Sequence, residues 1–215
     1  MIKALVFDFD GTLVTHDLLD YVCEINNKKD VSQQINLAFQ KGEVLGNDAL
    51  IKRINLLEGI SLTQLNQYLQ NTSFLRTGAI QVFNYAKACN LTTIINSGNI
   101  IPILNFYKNI LGADYILGNY PFIHSGVISR FPKEQAIKPH RKYSQLAQFL
   151  TKLLIKWSEI ISIGNGPDDV PIFKRSAIAI SIGNNNEVAR HSQYHIDTNM
   201  AEIIPIINKH LSNTK

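Results

Sequence analysis

The stretch Ile2-Lys3-Ala4-Leu5-Val6-Phe7-Asp8-Phe9 constrains this chain most. Its apolar residues fall on both faces of an extended segment, which predicts a strand covered from two sides, as in a parallel sheet. The later sequence repeats the demand. Helical spacing over 79–88, 101–110, 143–154 and 171–174 alternates with short apolar runs over 91–95, 115–117, 160–163 and 177–180. Parallel neighbours need crossover connections, so this alternation specifies an α/β fold with helices on both faces of a parallel sheet. A two-stranded excursion is expected over 122–129, and 183–188 reads as a turn into a helix.

Between the first strand and residue 77 the pattern is helical throughout. Leu50, Ile54 and Leu57 share a stripe that excludes Lys52, Arg53 and Glu58, and glycines at 42, 46 and 59 punctuate the segment. The reading is a small helical insertion over 14–76, within a core made of 1–13 and 77–215. With 215 residues, 45% hydrophobic and 18% charged, one sizeable core plus an insertion is affordable and disorder is excluded. No apolar run approaches the ~18 residues of a membrane span, and the first apolar stretch ends in Asp8, so neither a membrane nor a secretory signal is expected. Cys23 and Cys89 stand alone, which excludes a disulfide framework and predicts two reduced, buried, inert thiols in a cytoplasmic protein. The net charge of +4 is scattered, with no basic and aromatic interleaving, so nucleic acid is not an expected partner.

In open parallel sheets, ligands bind beyond the carboxyl ends of the strands. Three such ends carry polar clusters: Asp8-Phe9-Asp10-Gly11-Thr12, Asn96-Ser97-Gly98-Asn99 and Gly164-Asn165-Gly166-Pro167-Asp168-Asp169. Asp8 and Asp10, two residues apart, can point both carboxyl groups at one reaction centre. One carboxylate can attack phosphorus while the other moves a proton to and from the leaving oxygen. Such chemistry requires a nearby cation. Lys138, Arg141 and Lys142, the last opening an amphipathic helix with Leu146 and Leu150, are the candidates.

These clusters resemble the haloacid dehalogenase superfamily of phosphohydrolases, specifically its phosphoserine phosphatase-like branch, over essentially the whole chain. The resemblance implies a Rossmann-like core, with Asp8 as nucleophile and Asp10 as general acid and base. It further implies Ser97 and Gly98 as phosphoryl ligands, Lys142 as the charge beside them, and the insertion as a substrate-selecting cap. Hard oxygen ligands without His or Cys suit Mg²⁺, with Asp8, the Asp10 carbonyl and the 164–169 loop around it. That loop departs from the family pattern. Asn165 stands where an Asp is usual and Asp168 where an Asn is usual, followed by the expected Asp169, so Asp168 is expected to restore the missing charge.

In the insertion, Arg53 resembles the arginine that clasps the substrate carboxylate. Asp17 stands where the branch has the Glu that binds the substrate amine, and an ordinary helix N-cap is the competing reading. None of the six histidines has metal-ligand spacing; His16, nearest the site, is the exception worth testing. The expected activity is Mg²⁺-dependent hydrolysis of a small phosphorylated metabolite, by a monomer or homodimer. A phosphomutase, a dehalogenase and a phosphoester-binding protein with weak turnover are the alternatives.

Overall fold

The computed structural model describes residues 1–130 and 141–212. In chain order, β1 (Ala4–Phe7) leads into α1 (Leu18–Val22), α2 (Lys29–Gln40), α3 (Gly46–Asn55) and α4 (Leu62–Asn71). Next come α5 (Ala79–Ala88), β2 (Thr92–Ile100), α6 (Ile101–Leu111) and β3 (Tyr115–Asn119), then the hairpin β4 (Phe122–His124) and β5 (Val127–Ser129). α7 (Lys142–Lys152), β6 (Ile160–Gly164), α8 (Val170–Phe173), β7 (Ile178–Ile182), α9 (Asn186–Ala189), β8 (Tyr194–Ile196) and α10 (Ile203–Ser212) complete the chain.

The large sheet has the order β3-β2-β1-β6-β7-β8 with every pairing parallel. β1 lies inside it, with Ala4 paired to Thr92 on one side and Ile160 on the other. Successive side chains of a strand point to opposite faces. Leu5 and Phe7 accordingly enter one core with Val82, Phe83 and Ile203, whereas Ala4 and Val6 enter a second with Leu146, Leu150 and Ile172. This two-sided burial is what the opening stretch demanded. Strand order reverses about β1: the chain first builds outward through β2 and β3, then returns to add β6, β7 and β8. The crevice at that switch, beyond the carboxyl ends, receives all three polar clusters.

The helical insertion is tied to the hairpin by backbone pairing. The Ile128 carbonyl accepts from the Gly59 N–H, the Ile128 N–H donates to the Ile60 carbonyl, and the Leu62 N–H donates to the Gly126 carbonyl, each at 2.9 Å. Ser61 starts α4 with a capping box to Gln64. Leu57, Leu65 and Leu69 bury the apolar stripe of the insertion in the larger core.

Three differences from the sequence reading have simple causes. β2 continues to Ile100 instead of stopping at residue 95, so the second polar cluster is strand, with a register shift between Asn96 and Ile100. The edge strand β8, whose three residues are too few to carry a period, was not expected, and neither was helix α10. Cys23 is buried as expected, but Cys89 is only half-buried because it caps the C-terminus of α5. Lys138 lies outside the described residues. Among the described residues no helix is long and apolar enough to cross a membrane.

Candidate active site

Asp8 sits one residue beyond β1, where its N–H still donates to the Ile163 carbonyl at 2.8 Å and so extends the β1–β6 ladder. The sheet thereby fixes a carboxylate at its own edge. Lys142 Nζ donates to Asp8 Oδ1 at 2.6 Å and to Asp169 Oδ1 at 2.7 Å, and lies 3.0 Å from Asp168 Oδ2. Lys142 is the first residue of α7; Leu146 and Leu150, one and two turns on, anchor that helix face in the second core. Asp169 is held by the Asn165 and Gly166 N–H groups, which donate to its Oδ2 at 3.1 and 3.0 Å. Burial disfavours the Lys142 ammonium, but Asp169, Asp8 and Asp168 outweigh it and hold its pKa well above the usual lysine value. Burial raises the Asp8 carboxyl, and Asp169 adds to it, against the pull of Lys142.

After Asp8 the chain must turn sharply. Gly11 does so at φ +76°, where a side chain would strike the Asn165 amide. Arg76 straps the turn by donating to the Gly11 and Thr12 carbonyls at 2.5 and 2.8 Å. The Asp10 carboxyl is then presented on the cleft side. Its Oδ1 accepts from the Leu18 N–H at 2.8 Å, and both oxygens accept from Asn99 Nδ2 at 3.0 Å. Ser97 Oγ is 3.4 Å from Oδ2. Burial first, then the Asp17 charge, pushes Asp10 up to about 7, although the Leu18 N–H and the Asn99 amide pull the other way. A carboxyl near neutrality can both give and take a proton.

The Asn165 amide end lies 3.0 Å from Asp8 Oδ2 and 3.1 Å from the Asp10 carbonyl oxygen and Thr12 Oγ1. Turned NH₂-first, it donates to all three. Turned oxygen-first, it accepts from Thr12 and faces the other two as a third oxygen. Mg²⁺ holds oxygens at about 2.1 Å, which separates adjacent octahedral ligands by about 3.0 Å. The oxygen-first amide therefore stands at octahedral-edge separation from both the Asp8 carboxylate and the Asp10 carbonyl. Among the described residues no cluster of three or more His, Cys, Asp or Glu forms a metal cage. Asp168 and Asp169, expected around the cation, instead direct their carboxylates to Lys142.

The insertion contributes the opposite wall. Arg53 is buried, its Nη2 2.6 Å from Asp17 Oδ1 and 2.8 Å from Asp20 Oδ1, while its Nε donates to Ser32 Oγ at 3.0 Å. Asp17 also caps α1, accepting from the Leu19 and Asp20 N–H groups, and at the same time lines the cleft. A cleft of about 320 Å³ joins Asp8, Asp10, Ser97, Gly98 and Lys142 to Asp17 and Arg53, with Phe39 and Leu50 as apolar lining.

Thus one cleft gathers Asp8, Asp10, Asp17, Arg53, Ser97, Gly98, Lys142, Asn165 and Asp168, with Asp169 behind Lys142. His16 instead pairs with Thr15 Oγ1 at 2.8 Å and packs on Tyr21. Sequence reasoning passed over Asn99, Asp20 and Arg76. Asn99 was findable, because period-2 alternation puts it on the face of Ser97. Asp20 follows Asp17 by one helical step, but its ion pair with Arg53 comes from tertiary packing.

The family described as haloacid dehalogenase-like hydrolase matches residues 5–174. The chain is 24% identical over 208 residues to a phosphoserine phosphatase of Lactococcus lactis, covering 95% of each chain. It is 26% identical over 208 residues to a phosphoserine phosphatase of Campylobacter jejuni, covering 96% of this chain and all of that one. A solved substrate-bound phosphoserine phosphatase complex superposes with a TM-score of 0.80 at 18% identity, covering 96% and 98% of the two chains. The chain belongs to the haloacid dehalogenase-like hydrolase family.

Proposed function

We propose that this hydrolase is a Mg²⁺-dependent phosphomonoesterase that works through an aspartyl phosphate on a small phosphorylated metabolite, with phosphoserine-like substrates preferred. One observation carries the reading: a buried carboxylate held by a buried lysine, and a second carboxyl raised to about 7, line the same cleft. Named relatives that are phosphoserine phosphatases support the substrate class.

In this reading Asp8 attacks phosphorus as the bond to the leaving oxygen breaks, and Asp10 gives that oxygen its proton. Asp10, now a carboxylate, removes a proton from water as the water oxygen attacks the phosphoryl group; the bond to Asp8 breaks and inorganic phosphate leaves. Lys142, Ser97 and the Gly98 backbone hold the phosphoryl oxygens. Asp8 Oδ2, the Asp10 carbonyl and Asn165 would hold Mg²⁺, whose charge offsets that of the transferring phosphoryl group. Residues 14–76 act as a cap that excludes water during transfer, and Asp17 and Arg53 meet the amine and carboxylate of the substrate.

A second reading, a phosphoester-binding protein with weak turnover, is favoured by the Asn165 amide, which can donate into the corner where a carboxylate is usual. Phosphate release from a panel of phosphorylated metabolites, with Mg²⁺ and with chelator, separates the two. The phosphatase reading expects Mg²⁺-dependent turnover, greatest on phosphoserine-like compounds and lost in Asp8→Asn. Binding of the panel without release of phosphate refutes it in favour of the second.

A further inference from the structure

Asn99 has no part in the chemistry described so far, yet its side chain is among the most completely specified in the cleft. It is 2% exposed, near the end of β2. Its Oδ1 accepts from the Ile100 N–H at 2.7 Å, so the amide can face only one way. Its Nδ2 therefore points at Asp10, 3.0 Å from each carboxyl oxygen. Its own N–H donates to Ser97 Oγ at 3.0 Å, which ties it to the other polar residue on this strand face.

The two Asp10 oxygens are left unequal. Oδ1 accepts from both the Leu18 N–H and the Asn99 amide. Oδ2 shares Asn99 and, among the described residues, otherwise accepts from the Ser97 hydroxyl at 3.4 Å. A carboxyl proton on Oδ1 would displace an N–H donor, whereas on Oδ2 it needs only the Ser97 hydroxyl to turn and accept. We propose that Asn99 is a positioning residue that, with the Leu18 N–H, pins the plane of the Asp10 carboxyl and presents Oδ2, on the Ser97 side, to the leaving oxygen of the substrate. The inference rests on the phosphatase reading and assigns a residue which that reading leaves without a role.

A group that aims a general acid matters only where the leaving group needs a proton. Serine leaves as an alkoxide and needs one; p-nitrophenolate leaves readily without. The experiment compares wild type, Asn99→Ala and Asn99→Ser in single-turnover reactions with enzyme in excess and Mg²⁺ present. It reads release of serine from O-phosphoserine and of p-nitrophenol from p-nitrophenyl phosphate, so that only the first step is seen. General acid catalysis is worth roughly 10²-fold or more, so both variants should slow serine release by about 30-fold or more and p-nitrophenol release by less than about threefold. The enzyme concentration that gives the half-maximal single-turnover rate should change little for either substrate. Equal losses on both substrates, whether from misfolding or from a general disturbance of the site, overturn the positioning role, as does full retention of serine release. A wild-type protein that releases neither leaving group overturns the phosphatase reading and this inference with it, whereas selective failure of the variants' pattern in an active wild type overturns the inference alone.

Discussion

Asn165→Asp restores at one position the acid that the family pattern leads one to expect, and its consequence can be worked from distances. The amide end stands 3.0 Å from Asp8 Oδ2. Without a metal, the substitution exchanges a donor for a second carboxylate oxygen at that separation. Two unit charges 3.0 Å apart repel by about 5.5 kcal/mol at an effective dielectric of about 20. The lost hydrogen bond to a charged group adds about 1.5–3 kcal/mol. Lys142, 2.6 Å from the other Asp8 oxygen, offsets part of this, as does proton uptake by the new pair. A net destabilisation of about 3 kcal/mol is left for the metal-free variant. A divalent cation removes the repulsion, so the same energy reappears as Mg²⁺ affinity, about a hundredfold tighter binding. Calorimetric titration with Mg²⁺, together with thermal unfolding in chelator and in Mg²⁺, reads both sides. The variant should melt below wild type in chelator and gain more from Mg²⁺ than wild type does. Asp168→Asn should change Mg²⁺ affinity less, because that carboxylate is 63% exposed and is engaged by Lys142. Unchanged Mg²⁺ affinity in Asn165→Asp, with an unchanged midpoint in chelator, would refute the placement of the cation at this corner.

Asp8→Asn should abolish turnover and leave the fold intact, since the amide is a poor nucleophile of the same shape; residual phosphate release in a clean preparation refutes the nucleophile assignment. Arg53→Ala should cost about 3 kcal/mol, because it strands Asp17 and Asp20 around a buried hole, and Asp20→Asn in the same chain should recover part of the loss. An unchanged melting midpoint for Arg53→Ala sinks the idea that this ion pair holds the insertion together. Because Asp10 is pushed up to about 7 in the fold from an ordinary 3.8, the folded state favours its protonated form. Its contribution is present below about 3.8 and is lost as pH rises from there through about 7, so metal-free wild type should lose midpoint relative to Asp10→Asn between about pH 4 and 7 and run parallel to it above. Parallel midpoint curves for the two proteins contradict that sign.

The sequence by itself determined the architecture, because the determinants are local. An apolar run with two buried faces, repeated between helical periods, has few solutions other than a parallel sheet covered on both sides, and Leu5 and Val6 enter opposite cores for that reason. Two of the strand ends were legible too, since polar clusters interrupt apolar runs at Asp8 and Gly164 where the chain leaves the sheet, whereas the cluster at Ser97 is itself strand. Only the tertiary structure decided how those clusters are wired. Lys142 gathers Asp8, Asp168 and Asp169 across separations of 134 and 27 residues for its two hydrogen bonds, and no period or propensity carries that information. Arg53, read as a free clasp, is already engaged by Asp17 and Asp20, because burying a guanidinium requires countercharge wherever the packing supplies it. Asn99 shows the boundary between the two. Its strand face followed from alternation, but its grip on Asp10 exists only because β1 and β2 lie side by side, which brings residues 89 apart in sequence to within a hydrogen bond.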